Sequence, residues 1–184
     1  MKEGFLRKFS IFDLILLAFM AAAGVAVKPI VVSVAHLITG PLFIPGGALA
    51  GGIYMMFVVL GAGLVGKRGA ATLICIVQAL LVVVTGVYGT HGIVSLVTYT
   101  LPGICIDLLW LLMKHGGCCL LCCFFAGIVA NASGVVLVNL VFFRLPLIPF
   151  LLSLTISIFS GGIGGIAAWS MIKALRKQDL LKAK

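Results

Sequence analysis

IFDLILLAFMAAAGVAVKPIVVSVAHLITGPLFIPGG, residues Ile11 to Gly47, decides how the chain is read. From Ile11 to Val27 the run is apolar or small except for Asp13. A bilayer-spanning helix takes about 20 such residues. Ser10 and Asp13 form a capping-box pattern at its start, since hydroxyl and carboxylate can each satisfy a free amide. After Val27 come Lys28, Pro29, Gly40, Pro41, Pro45, Gly46 and Gly47. Proline removes an amide and crowds the preceding turn, so the span is expected to stop at Val27. A short half-helix, Ile30 to Ile38, and a loop packed over the bundle are expected beyond it. Lys2, Arg7 and Lys8 before an apolar run, with Ala21, Ala22 and Ala23 near its end, imitate a secretion signal. Several further spans follow, so the run is read as a retained first span.

The rest of the chain extends this pattern. Of 184 residues, 63% are hydrophobic and 9% charged, against roughly 25% charged in a soluble domain. An ordinary globular protein is excluded, and no length remains for a soluble catalytic domain. Glycine, proline and basic pairs divide the chain into spans at about 11–27, 48–65, 70–87, 92–113, 118–143 and 147–175, with an irregular outer segment at 28–47. The expectation is an all-α integral membrane protein. It is a single membrane domain, residues 1–184, folded as a bundle of six transmembrane helices in the cell membrane.

Charge orients the bundle. Eleven of thirteen basic residues (Lys2, Arg7, Lys8, Lys67, Arg68, Lys114, Lys173, Arg176, Lys177, Lys182, Lys184) fall on the side of the termini, and only Lys28 and Arg144 fall opposite. Basic residues mark the cytoplasmic side, so both termini are expected there. The net charge of +9 thus reflects orientation, and no nucleic-acid partner is expected.

Motifs for chemistry are weak. Gly61, Gly66 and Lys67 imitate a phosphate-binding loop, but Arg68 stands where Ser or Thr is needed, and a span precedes it instead of a strand. Cys118, Cys119, Cys122 and Cys123 lie at adjacent helical positions that diverge by about 100°, so they read as apolar packing residues and not as a metal site. His36, His91 and His115 have no carboxylate at helical spacing, and no Ser–His–acid set or carboxylate pair can be assembled. No catalytic residue, metal or cofactor is expected, and the chain is read as no enzyme. Asp107, well inside an apolar run, reads as a structural hydrogen-bonding or ion-pairing group.

Polar residues within spans are costly and therefore informative. His91, Ser95 and Tyr99 recur every four residues in the outer half of the fourth span; Asn139 and Ser153 lie near the outer ends of their spans, and Gln78 near the middle of the third. With Tyr88 as an aromatic wall and Gly40 to Gly47 as a lid, these are the candidate substrate-binding residues. Asn131 and Ser157 read as interhelical bonds. Small residues recur as Ala18, Ala22, Ala26 and as Ser157, Gly161, Gly165, rows that let helices approach closely.

These features together resemble the substrate-binding S component of energy-coupling-factor (ECF) vitamin transporters. The carriers are the six short spans, the alanine row and the irregular segment after the first span. The stretch from Gly52 to Trp110, with GIYMM, GKRGAATL, VQALL and TYTLPGICIDLLW, is similar to the YkoE-like branch, the thiamine or hydroxymethylpyrimidine type. The resemblance implies a transmembrane coupling subunit and two ATPase subunits as partners, with Ala18, Ala22 and Ala26 contacting the coupling subunit, and a small vitamin or precursor as ligand. No carboxylate lies in the outer half to favour a thiazolium cation, so a neutral pyrimidine or another small vitamin fits as well. A stand-alone channel or exporter and a ligand-free membrane assembly factor are the other readings.

Overall fold

The computed structural model describes residues 8–42, 44–86, 94–114, 117 and 119–177. These form six helices: α1 (Ile11–Thr39), α2 (Gly46–Val65), α3 (Ala70–Thr85), α4 (Val94–Met113), α5 (Leu120–Val138) and α6 (Leu147–Lys177). A 3-10 turn, Gly40–Leu42, joins α1 towards α2, and a π-helical turn, Asn139–Phe143, extends α5. No strand occurs among the described residues. Five of the helices are long and apolar enough to cross a membrane. The sixth, α3, has 16 residues, about 24 Å at 1.5 Å per residue, shorter than the expected 70–87 span.

The largest departure from expectation is at Pro29. The helix does not stop at Val27 but runs unbroken for 29 residues to Thr39, so the half-helix expected at Ile30 to Ile38 is the continuation of α1. In lipid an interrupted helical bond is tolerated where neighbouring groups repair it, while abandoning the helix would orphan every amide of the segment. At the other end of α1 the capping box forms as expected: the Ser10 hydroxyl accepts from the Asp13 amide at 3.2 Å, and the Asp13 carboxylate accepts from the Ser10 amide at 2.8 Å.

Asp13 also binds the Lys67 ammonium at 2.5 Å, which assigns the residues that imitated a phosphate loop. Gly66 closes α2 in the left-handed conformation at φ 64°, where a side chain would be strained. Lys67 then folds back to the start of α1, and Gly61 lies inside α2 against Met20 and Ile74. Asp107 serves the same turn between α2 and α3. Its carboxylate accepts from the Gly69 amide (3.1 Å), the Thr72 amide (2.8 Å) and the Thr72 hydroxyl (2.6 Å). Gly69 has no side chain with which to cap α3, so a carboxylate on α4 satisfies the first-turn amides instead.

Packing depends on small residues inside and large ones outside. α2 lies against α1, α5 and α6, α5 runs along α6, and α3 along α4. Gly52 meets the Ser160 backbone, Gly127 that of Gly161, and Gly165 that of Cys123, so the row Ser157, Gly161, Gly165 is an internal contact. The Asn131 amide donates at 3.0 Å to the carbonyls of both Ala48 and Ser157, tying α5 to α2 and α6. Ile11, Ile15, Phe19, Leu37, Leu112, Phe159 and Ile163 point outward and are exposed. Apolar belts of this kind suit lipid as solvent.

Candidate functional site

A cavity of about 310 Å³ opens at the end of the bundle remote from Lys8 and Lys177. It is built from the last third of α1, the start of α2, the start of α4, the end of α5 and the start of α6. That volume falls at the lower end of small-molecule sites, roughly 300–1,000 Å³. Its walls are largely apolar, with Met55, Val135, Val138 and Phe143 among them, and a few polar groups converge on it: Lys28, Ser33, His36, Tyr54, Thr98, Tyr99, Asn139 and Ser153.

Three expected residues therefore share one cavity. Tyr99 is buried at its wall, and its hydroxyl accepts a hydrogen bond from the Lys28 ammonium. Asn139 opens the π-helical turn: its backbone carbonyl accepts from the Arg144 amide at 2.8 Å and its side-chain oxygen from the Leu145 amide at 2.9 Å, leaving Nδ2 as its remaining side-chain donor. Ser153 is fully buried and donates to the Pro149 carbonyl at 2.7 Å. Such a bond within its own helix satisfies the hydroxyl hydrogen and leaves oxygen lone pairs.

The other expected residues are placed differently. Ser95 is 1% exposed and does not line the cavity; it sits one turn from Tyr99 inside the helix packing, where its carbonyl accepts from Thr98 at 3.3 Å. Gln78 is buried on α3 beside Gly24, whose lack of a side chain leaves room for the amide. It too lies off the cavity wall. Tyr88 and His91 lie outside the described residues, so of the expected strip His91, Ser95 and Tyr99 only Ser95 and Tyr99 are described, and they do not share the cavity. Part of the expected lid does reach it, since Pro45, Gly46 and Gly47 line the wall. Gly46 presses on the backbone of Val32 and His36, and its amide donates to His36 Nδ1 at 3.2 Å. This bond satisfies a first-turn amide of α2 and fixes the corner between α1 and α2.

Lys28 and Tyr54 were not among the expected site residues. The Lys28 ammonium lies 4.2 Å from the Tyr99 ring centroid and 5.3 Å from that of Tyr54, within cation–π range of both. In sequence Lys28 reads as the basic end of a span. Only the continuation of α1 beyond Pro29 carries it into the cavity wall.

The described cysteines of the cluster take part in capping and packing. Cys119 caps α5, its sulfur accepting from the Cys122 amide at 3.3 Å, and Cys123 is buried; Cys118 lies outside the described residues. No group of three or more His, Cys, Asp or Glu suited to a metal occurs among the described residues. The three alanines of the first row, Ala18, Ala22 and Ala26, are all exposed on the side of α1 opposite its buried Leu17, Ala21 and Gly24.

Residues 12–133 match the model of a family described as ABC-type cobalt transport system, permease component. The match takes in well over half of the chain. The chain belongs to this family. No curated relative matches the sequence. Among solved structures, this permease-family chain is similar to one described as the crystal structure of an S-component of ECF transporter, with a TM-score of 0.78 and 18% identity. The likeness covers 95% of this chain and 89% of that one, so the fold is that of an ECF transporter S component over nearly its full length. Its apolar helices and its family make the permease-family chain a multi-pass protein of the cell membrane.

Proposed function

We propose that the chain is the substrate-capture subunit of an ATP-driven ECF-type importer. It takes a small vitamin or precursor from outside into the cavity between α1, α2, α4, α5 and α6. The observation that carries this reading is the cavity itself: an apolar chamber with a few convergent polar groups, at one end of a bundle whose fold is that of an S component. The described ends of the chain, Lys8 and Lys177, lie at the other end with Lys67, Arg68, Lys114, Lys173 and Arg176; with these on the cytoplasmic side, the cavity opens outward. A transmembrane coupling subunit and two ATPase subunits supply the energy, and the exposed alanine row on α1 is the face offered to the coupling subunit. From the segment Gly40 to Gly47 read as a lid, Pro45, Gly46 and Gly47 close one side of the cavity.

Thiamine or its hydroxymethylpyrimidine precursor is one ligand of suitable size. The family description names cobalt, but the described lining offers one imidazole, already accepting a backbone bond, the Met55 thioether and neutral hydroxyl and amide oxygens, beside the Lys28 ammonium and with no carboxylate or thiolate. A divalent ion held by protein is normally compensated by anionic or several imidazole ligands and is repelled by an ammonium. An organic solute fits the apolar walls better.

Removal of one buried ligand hydrogen bond typically costs about 1–3 kcal/mol, roughly five- to more than a hundredfold in affinity. Tyr99→Phe and Asn139→Ala are accordingly expected to weaken binding of the retained ligand within that range, measured by calorimetry on purified protein. Association with the coupling subunit should persist, because both residues face the cavity while the alanine row is exposed on the outer face of α1. Unchanged affinity in both variants would place the ligand elsewhere.

A further inference from the structure

Among the described residues that line it, the cavity contains a lysine and no acid. Four acidic residues occur in the sequence, Glu3, Asp13, Asp107 and Asp179. The two that are described are committed at the opposite end of the bundle: Asp13 to Lys67 and the start of α1, Asp107 to the first turn of α3. The groups around the Lys28 ammonium are the Tyr99 hydroxyl and the rings of Tyr99 and Tyr54. Elsewhere on the wall, α1 contributes Ser33 and His36, α4 Thr98, α5 with its π turn Asn139, and α6 Ser153, none of them anionic. Aromatic faces offset part of the cost of withdrawing an ammonium from water, and an opposite charge is the partner that completes it.

We propose that the cavity takes a ligand with an anionic head group, a carboxylate or phosphate, and that Lys28 binds it, with the Tyr99 hydroxyl beside it. This rests on the capture reading and names its substrate class. The apolar body of the ligand lies along Met55, Val135 and Val138, against the Tyr54 ring. The fixed charge also discriminates. A cationic thiazolium meets the ammonium as a like charge with no carboxylate to compensate it, whereas a phosphorylated or carboxylated relative meets a partner. An ammonium donates charge-assisted bonds to either oxyanion, stronger than bonds between neutral groups.

The test uses pairs that differ in charge: pantothenate and pantothenol, biotin and its methyl ester, nicotinate and nicotinamide, thiamine monophosphate and thiamine. Calorimetry on the purified full chain measures each, and mass spectrometry identifies any small molecule carried through purification. For the pair that binds, the anionic member is expected to bind about tenfold to a hundredfold tighter in the parent, the range of a charge-assisted bond. Lys28→Met should bring that ratio close to one, and Lys28→Arg should preserve it. Should Lys28→Met fail to fold, Tyr99→Phe is expected to reduce the ratio in part. A retained molecule that is anionic supports the proposal even if the panel misses it. A neutral or cationic retained molecule, or a charge preference that survives Lys28→Met, overturns it while leaving the capture reading standing. Finding no bound small molecule by either method defeats the capture reading and this inference together.

Discussion

Gly164→Leu is expected to lower the melting temperature of the detergent-solubilised protein by at least about 6 °C and to broaden its size-exclusion profile. A Cβ at Gly164 would stand 2.7 Å from the Gly52 carbonyl carbon and 2.9 Å from its Cα. Both are backbone atoms in the middle of α2, which cannot rotate aside as a side chain would. The same crossing is fixed from the other direction, because a Cβ at Gly52 would strike the backbone of Ser160, whose hydroxyl accepts from the Gly52 amide at 3.0 Å and donates to the Leu49 carbonyl. Opening it disturbs two hydrogen bonds as well as the packing. Overpacking a tight contact costs about 1–3 kcal/mol and more where backbone must move. At roughly 2–4 °C per kcal/mol for a chain of this size, the upper part of that range gives the shift stated. Gly134→Ala is the control, since a Cβ there meets its nearest neighbour, Pro102, at 3.9 Å. Equal melting temperatures for Gly164→Leu and Gly134→Ala would show that α2 and α6 do not cross so closely.

Ala22→Trp is expected to reduce ATP-dependent uptake to background while changing ligand affinity of the isolated chain by less than about twofold. Ala18, Ala22 and Ala26 recur at one face of α1, and all three are exposed, so no contact within the chain explains their small size. The contrast with the second row is direct. Gly161 and Gly165 are buried against α5, and enlarging them disturbs the fold. A tryptophan at position 22 lies in open surroundings in the isolated chain, so it should leave the fold intact and keep a partner helix from the close approach that small residues permit. Uptake in cells expressing the complete transporter, measured alongside calorimetry on the purified variant, separates the two effects. Loss of uptake with intact binding places the partner at this face. Normal uptake removes the row from the coupling interface.

The order of the helices and much of their extent could be read from hydropathy, because lipid demands long uninterrupted apolar runs. The start of α6 at Leu147 and the end of α4 at Met113 fall where Pro146 and Lys114 predict. Pro29 misled because a rule about single residues, that proline ends helices, was outweighed by the cost of opening a break in the helix, with its unpaired backbone groups, in lipid. That error also hid Lys28, which a helix ending at Val27 leaves outside the bundle and a helix ending at Thr39 carries to the cavity. The depth of polar residues along their spans singles out Tyr99, Asn139 and Ser153, which line the cavity, but depth does not give direction around a helix axis. Ser95 and Gln78 sit at suitable depths and turn into packing instead. Asp107 was recognised as structural, yet its partners, Gly69 and Thr72, come from another helix 35 or more residues away, and no local spacing reveals them.

The central claim, capture of a small organic solute in the cavity between α1, α2, α4, α5 and α6, is tested most directly by native mass spectrometry of the chain purified gently from its membrane, beside Gly134→Phe. Gly134 lines the cavity, and its open surroundings let a phenyl ring grow into that space without striking backbone. The account predicts one small molecule retained per parent chain and none on Gly134→Phe, with both proteins folded and equally able to associate with the coupling subunit. A parent that carries no ligand, or a filled variant that retains the same molecule at the same occupancy, would contradict it.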